Sequence, residues 1–362
     1  ITVDEPLEVN ATFQQFWLME NGTTIYCGNA SLGDKGVIRG IEYTKRSVSQ
    51  INVENASRSC TSDITDMSGL FQDELFFNGD ISHWDVSSVA NMKNMFAGAV
   101  EFNTDISLWD VSNLTNMSGI FANTKFNMDL SEWVLTSVTD MSGIFENSQF
   151  NQDISNWDVS NVVLMKSMFG GSNFNKDISN WDVSNVIDMS NMFRGADFNQ
   201  DIKSWNVQSV TNMESMFDSS LFNQDLSTWQ VINVKNMVSM FANSVFNKTI
   251  SSWRVSNVTN MKNMFKNSEF NQSISTWDVS NVIDMEGMFE NSSFNQPINN
   301  WNISNVTNIK NMFKSTLFNQ NIGSWNTSNV IEISGLFEDA VSFNQNIFNW
   351  YVSKVTDMSR IF

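Results

Sequence analysis

The sequence predicts an α/β solenoid of about twelve coils, each with a short parallel strand and short helical turns. Tryptophan recurs twelve times between Trp84 and Trp350, at intervals of 24 or 25 residues, and other apolar residues stand at fixed distances from it. Such a period is typical of repeat architectures. The 362 residues would be too many for one ordinary core, which rarely exceeds roughly 250–300 residues. A repeat array has no such limit, because each unit contacts only its neighbours.

The strand is predicted around each tryptophan. An isoleucine or leucine stands three residues before it, and in most copies a valine stands two residues after it. This I-x-x-W-x-V pattern overlays the L-x-x-L-x-L frame of leucine-rich repeats, whose units have roughly 20–29 residues. Because side chains alternate along a strand, the residues on either side of Trp are expected to face solvent.

Helical turns are predicted after the strand. In VANMKNMF, the residues Val89, Met92, Met95 and Phe96 recur at i, i+3, i+6 and i+7, which places them on one helical face. About eight large apolar residues per repeat would then form one continuous core, each contributing roughly 1.5–3 kcal/mol on burial.

An asparagine follows the second phenylalanine of every repeat. Turn backbone inside a solenoid otherwise lacks hydrogen-bond partners, so this column is predicted to be a structural ladder that bonds to the backbone of adjacent coils. Its members are Asn78, Asn103, Asn127, Asn151, Asn175, Asn199, Asn223, Asn247, Asn271, Asn295, Asn319 and Asn344.

Residues 1–61 do not repeat, whereas residues 62–362 are the tandem repeats. The first segment is predicted to be a hairpin-plus-helix cap on the first coil, since solenoid ends require caps. It contains the two cysteines, Cys27 and Cys60. In an exported protein this pair predicts one disulfide, with two free buried thiols as the alternative. No C-terminal cap is recognisable before Phe362, so we expect either further sequence or an end that contacts another molecule.

Composition argues against several function classes. With 20 basic and 39 acidic residues the net charge is −19, which disfavours nucleic acids and anionic membrane surfaces as partners. The sequence contains no run of 18 apolar residues, so no membrane-spanning helix is predicted. The single histidine, His83, is expected on a solvated strand, and one histidine is too few for His/Cys zinc sites and poorly suited to a catalytic triad. We therefore expect neither an enzyme nor a required cofactor.

Aspartates form two columns, one directly after Trp and one before the isoleucine. At a strand spacing of about 4.8 Å, neighbouring carboxylates would repel by roughly 1 kcal/mol in water. Two explanations stay open: the columns are solvated, or Ca²⁺ bridges them, because calcium prefers several oxygen ligands. The candidate calcium ligands are Asp153, Asp177 and Asp201.

The candidate binding surface consists of the residues one before, one after and three after each tryptophan, here called the Trp-flanking columns. A broad, rigid polar surface suits a protein or a glycan, because docking costs little ordering entropy. Aromatic anchors are scarce there, so multivalent binding is expected. The residues predicted to bind are Asp85, Asp110, Asn156, Asp158, Ser160, Asn180, Asp182, Ser184 and Asp278.

The phrase FNQDISNWDVSNV, which begins at Phe150 and recurs with variations from about Asp63 to Phe362, resembles the BspA-like leucine-rich-repeat surface proteins. That family includes the repeats of many mycoplasma lipoproteins. The resemblance implies a right-handed solenoid that is secreted or displayed on the cell surface, and for some members adhesion to host or matrix proteins. It implies no catalytic residues.

These observations predict a non-enzymatic, extracellular adhesion or recognition module. One alternative is a structural subunit of a filament or surface layer that assembles with copies of itself through the solenoid ends. A weaker alternative is lattice binding, to ice or cations, by regularly spaced Ser, Thr and Asn.

Overall fold

The structure is a computed structural model and describes residues 15–362; residues 1–14 of the predicted cap lie outside it. Residues 15–61 form two small sheets. The first pairs β1 and β2 as a hairpin, and the second has the order β3-β4-β5, with β5 parallel to β4. The strands are β1 (Trp17–Leu18), β2 (Ile25–Tyr26), β3 (Lys35–Ile38), β4 (Ile41–Lys45) and β5 (Ser59–Cys60).

The helical part of this segment consists of two short 3-10 helices, Val48–Gln50 and Ala56–Arg58. Cys27 follows β2 and Cys60 ends β5, and the two form a disulfide, as the sequence predicted. The bond therefore joins the two sheets. It lies in a small core with Phe16, Ile25 and Tyr43.

Each repeat is joined to the next by one parallel bridge and by further backbone hydrogen bonds, such as Phe96 N–H to Ile120 O (3.1 Å) and Gly98 N–H to Ala122 O (2.8 Å). The bridging residue lies seven positions after tryptophan, and the ladder runs without a break from Asp66–Asn91 to Glu332–Asp357. Between bridges the chain consists of turns and irregular segments, and residues 62–362 contain no helix and no strand longer than one bridging residue.

The prediction of a strand at W-x-V is therefore wrong. Tryptophan lies between two tight turns, in which Trp84 N–H donates to Ile81 O (3.1 Å) and Val89 N–H donates to Val86 O (2.9 Å). Ile, Trp and Val are all buried because the two turns direct them to the same side. An apolar spacing that fits a leucine-rich-repeat strand thus also fits two consecutive turns.

The predicted helical face is also not a helix. Met95 N–H donates to Met92 O within the repeat (3.0 Å), but Met92 N–H and Asn94 N–H donate to Asn116 O and Ser118 O of the next repeat (2.9 and 2.8 Å). Asn94 has a left-handed φ of 54°, and the same position is left-handed in every repeat. A right-handed helix cannot continue through such a residue, and Asn and Gly adopt this conformation at the least cost.

The predicted core is confirmed. The tryptophans from Trp84 to Trp325 are buried, Trp350 is half-buried, and one hydrophobic cluster runs from Ile51 to Ala340. Equivalent rings of adjacent repeats stack, as in Phe145–Phe169 (centroids 5.9 Å apart, planes 14° apart). Such contacts recur along the array, so the repeats from Trp84 to Trp325 bury their apolar faces against their neighbours.

Candidate functional site

The Trp-flanking columns are positioned by the buried indoles. Each indole N–H donates to a main-chain carbonyl of the preceding repeat, as from Trp181 Nε1 to Ile154 O (3.2 Å). The bond recurs for all twelve tryptophans, and Trp84 uses Ala56 O of the N-terminal segment (3.0 Å). The repeat period predicts that the tryptophans are buried, but it does not indicate which carbonyl accepts the indole N–H. The sequence analysis therefore did not predict this hydrogen bond.

The asparagine column adds a second link between repeats. Asn175 Oδ1 accepts the backbone N–H of Asn199 (3.0 Å), and the side-chain amide of Gln200 donates to the same oxygen (3.0 Å). Equivalent asparagine bonds join all twelve members, from Asn78 to Asn344. The spacing of neighbouring repeats is therefore fixed by side-chain amides as well as by the bridges.

In the middle of the array the Trp-flanking columns face solvent. Asp158 and Asp182 are exposed, and the Oδ1 of each accepts the backbone N–H of the serine two residues later, Ser160 or Ser184 (3.0 Å in both). Hydrogen bonds from these serines lower the pKa of both aspartates. The carboxylates are thus ionised at neutral pH and held in one orientation.

The other predicted binding residues of this surface have similar surroundings. Asn156 and Asn180 are exposed, and Ser160 and Ser184 are half-buried. Two further exposed aspartates make the same local turn, Asp110 to Ser112 N–H (3.1 Å) and Asp278 to Ser280 N–H (3.1 Å). The columns present carboxylates and amides on a hydrogen-bonded scaffold.

The first repeat does not contribute to this surface. Asp85 is only 4% exposed, and Thr61 Oγ1 donates to its carbonyl (2.9 Å). His83 is also buried, so its expected place on a solvated strand is wrong; its Nε2 lies 3.0 Å from Ser59 O and its ring 4.9 Å from that of Tyr43. Burial lowers the pKa of His83. Both expectations failed because the non-repeating segment covers these two positions.

The aspartates before the isoleucine cap local turns. Asp153 and Asp177 each accept a backbone N–H two residues later (2.9 Å in both), and Asp201 does the same (2.8 Å). The bond from Ser155 N–H lowers the pKa of Asp153. Within residues 15–362 no group of three or more His, Cys, Asp or Glu is arranged to hold a metal ion. The geometry gives these aspartates a turn-capping role and no support for the calcium alternative.

One ion pair joins this column across repeats. Lys203 Nζ bonds the carboxylate of Asp225, and this contact together with Ser227 lowers the pKa of Asp225 to about 2. The pair is exposed, so its contribution to folding is small. It nevertheless shows that a lysine of one repeat can neutralise the aspartate charge of the next.

No helix within residues 15–362 combines the length and the apolar character needed to cross a membrane.

Comparisons with known proteins bear on the whole repeat region. No curated protein shows a significant match to the chain. One family model, described as Mycoplasma protein of unknown function, DUF285, matches in four overlapping segments, 41–155, 139–245, 219–317 and 292–362. Because the matches together cover residues 41–362 and coincide with the tandem repeats, the chain belongs to this mycoplasma repeat family.

Proposed function

We propose that the chain is a non-enzymatic, extracellular recognition module, and that its repeats form a right-handed, BspA-like leucine-rich-repeat solenoid displayed on a cell surface or secreted. In this proposal, the Trp-flanking columns of the central repeats bind a protein or glycan on another surface. Support for a repeat surface protein comes from the family match and from the parallel bridge that joins every repeat to the next.

The observation that carries the proposal is the restraint on the exposed polar groups. Asp158 and Asp182 project from turns that are tied to the core by Trp157 and Trp181 and closed by hydrogen bonds to serine. Side chains that are ordered before binding lose little entropy when a ligand docks. Repetition of the same groups in adjacent repeats suits a ligand with a repeating surface, for which weak contacts add through multivalency.

Attachment of the double variant Asp158→Lys/Asp182→Lys to immobilised host-matrix proteins and glycans tests the proposal. We expect at least a tenfold loss of attachment, because two oriented carboxylates become cations. The control is Asp197→Lys/Glu269→Lys, which changes the net charge equally at two exposed positions directly before the second phenylalanine. Equal attachment of both variants and the wild type would refute a role for the columns.

Filaments or sheets in electron micrographs of the wild-type chain, together with unchanged attachment, would favour the alternative of a structural subunit. Sedimentation velocity over a range of concentrations distinguishes that outcome from a monomeric recognition module.

A further inference from the structure

A depression of about 620 Å³ lies on the last complete repeat, beside Trp325 and Trp350. Phe348 and Tyr351 flank it and are 90% and 67% exposed. Large aromatic side chains are costly to leave in water, and the other repeats place small, polar or charged residues here in most cases. The two rings therefore need an explanation that the repeat core does not supply.

The repeats do not bury either of these two positions: the position of Tyr351 is exposed in most repeats, and that of Phe348 is half-buried or exposed. Phe348 lies two residues before its tryptophan, where the other repeats carry Ser, Lys, Asn or Gly, and the equivalent Lys203 is exposed. Tyr351 lies directly after its tryptophan, and the equivalent Asp182 is exposed. The exposure of Tyr351 thus follows from the direction of its column, whereas Phe348 is more exposed than the half-buried serines at its position in most repeats.

Gly323 lines the depression and occupies the place of Phe348 in the preceding repeat. A Cβ atom at Gly323 would lie 2.3 Å from the carbonyl oxygen of Asn346. A side chain at this position would clash with the last repeat, whose backbone approaches Gly323 closely. The absence of a side chain at Gly323 therefore permits this close approach beside the depression.

Amides complete the site. Asn349 is exposed and makes no side-chain hydrogen bond within residues 15–362, and Asn326 uses only its Oδ1, which accepts Ser328 N–H (3.2 Å). Both therefore keep N–H groups for a ligand. No charged side chain lines the depression, although the chain carries a net charge of −19. These features point to a neutral ligand that has apolar faces and many hydroxyl groups.

We propose that this depression binds a neutral saccharide, with sugar rings against Phe348 and Tyr351 and hydroxyl groups bonded to Asn326 and Asn349. A pyranose has axial C–H groups that pack on an aromatic face, whereas its equatorial hydroxyls meet amides at the rim. Sites of this kind combine aromatic walls with few polar groups. The inference rests on the proposed recognition function and names a ligand class and a second location for it.

The test uses titration calorimetry with neutral oligomers of glucose, galactose, mannose and N-acetylglucosamine, and with acidic uronate oligomers. We expect binding of at least one neutral oligomer, and at least a tenfold weaker Kd for Phe348→Ser and for Tyr351→Asn. Both substitutions restore residue types that other repeats carry at these positions, so the fold is retained. Phe76→Ser, which removes another exposed ring (86% exposed) far along the sequence, is expected to leave Kd unchanged.

No binding to any neutral oligomer, tighter binding of uronates than of neutral sugars, or an unchanged Kd in either Phe348→Ser or Tyr351→Asn would overturn the inference. A protein partner whose binding needs Phe348 while all sugars fail would overturn it as well. The outcome is separable from that of the recognition proposal: if Asp158→Lys/Asp182→Lys loses attachment while no saccharide binds, the central columns stand and this site falls.

Discussion

Residues 15–61 and residues 62–362 solve the problem of backbone hydrogen bonding in different ways. The N-terminal segment uses five strands in two sheets and a disulfide between them. The repeats use one bridging residue each and several further backbone hydrogen bonds to the next repeat, such as Ser167 N–H to Ser190 O (2.8 Å). Side chains add more bonds: indole N–H to carbonyl, asparagine oxygen to N–H, and aspartate oxygen to the turn that follows. Regular strands are thus not required for a regular stack when backbone bonds between repeats and a repeated set of bonding side chains join the units.

The largest expected effect is the loss of one indole from the middle of the stack. Trp205→Ala should lower the free energy of unfolding by about 3–5 kcal/mol, because a large cavity forms and Ile178 O loses its donor (3.0 Å). Urea denaturation followed by circular dichroism measures it. The matched control, Trp17→Ala in the half-buried β1 strand, should cost less; equal losses would contradict the difference between the two regions.

Removal of the disulfide should affect the other region. Cys27→Ser/Cys60→Ser is expected to destabilise residues 15–61 by about 2–4 kcal/mol, since the bond closes a loop with a sequence separation of 33. Limited proteolysis with mass spectrometry should show cleavage within this segment first and a protected repeat region. Simultaneous cleavage throughout residues 62–362 would show that the repeats depend on the N-terminal segment.

A smaller effect is expected from one member of the asparagine column. Asn199→Ala removes the acceptor of Asn223 N–H (2.9 Å) and of the Gln224 amide (3.1 Å). The cost should be about 1–3 kcal/mol, because a partly buried donor is left without a partner. Asn180→Ala, at an exposed position, should stay within about 0.5 kcal/mol of the wild type in the same denaturation experiment. A similar loss for both would refute the ladder as a stabilising element.

The smallest effects are two separate responses to acid. Burial lowers the pKa of His83 below its ordinary 6.5, so the unfolded chain takes up the proton first and stability at the N-terminal junction falls as pH drops below about 6.5. Hydrogen bonds lower the pKa values of Asp153, Asp158 and Asp182 below the ordinary 3.8. Their contribution is complete above pH 3.8 and is lost only as pH falls through the folded values.

Thermal unfolding between pH 7 and pH 2 measures both responses. His83→Gln should remove the upper one, and Asp153→Asn/Asp158→Asn/Asp182→Asn should weaken the lower one, because asparagine keeps an Oδ1 acceptor without titrating. Asn206 already makes this bond, to Gln208 N–H (3.2 Å). Unchanged profiles in both variants would show that other groups control the acid response.

The core was predictable from sequence because burial repeats with the same period as the residues. The residues that form the bridge between repeats could not be predicted from sequence, because the spacing of Ile81, Trp84 and Val86 fits a strand and a pair of turns equally well. A better signal was present at the left-handed positions, where Asn, Gly and Ser replace one another, as at Asn94, Gly119 and Ser167. No comparable signal existed for the buried Asp85, because a segment outside the repeat covers it.

The asparagine ladder has a consequence for the gene. Each link joins equivalent atoms of two successive units, so excision of residues 175–198 would bring Asn199 N–H to Asn151 Oδ1, the acceptor that Asn175 had used. Duplication of the same stretch would create the same asparagine hydrogen bond between the two copies. Recombination between gene segments that encode equivalent units can therefore shorten or lengthen the protein by whole units, with the asparagine bond between neighbouring units retained.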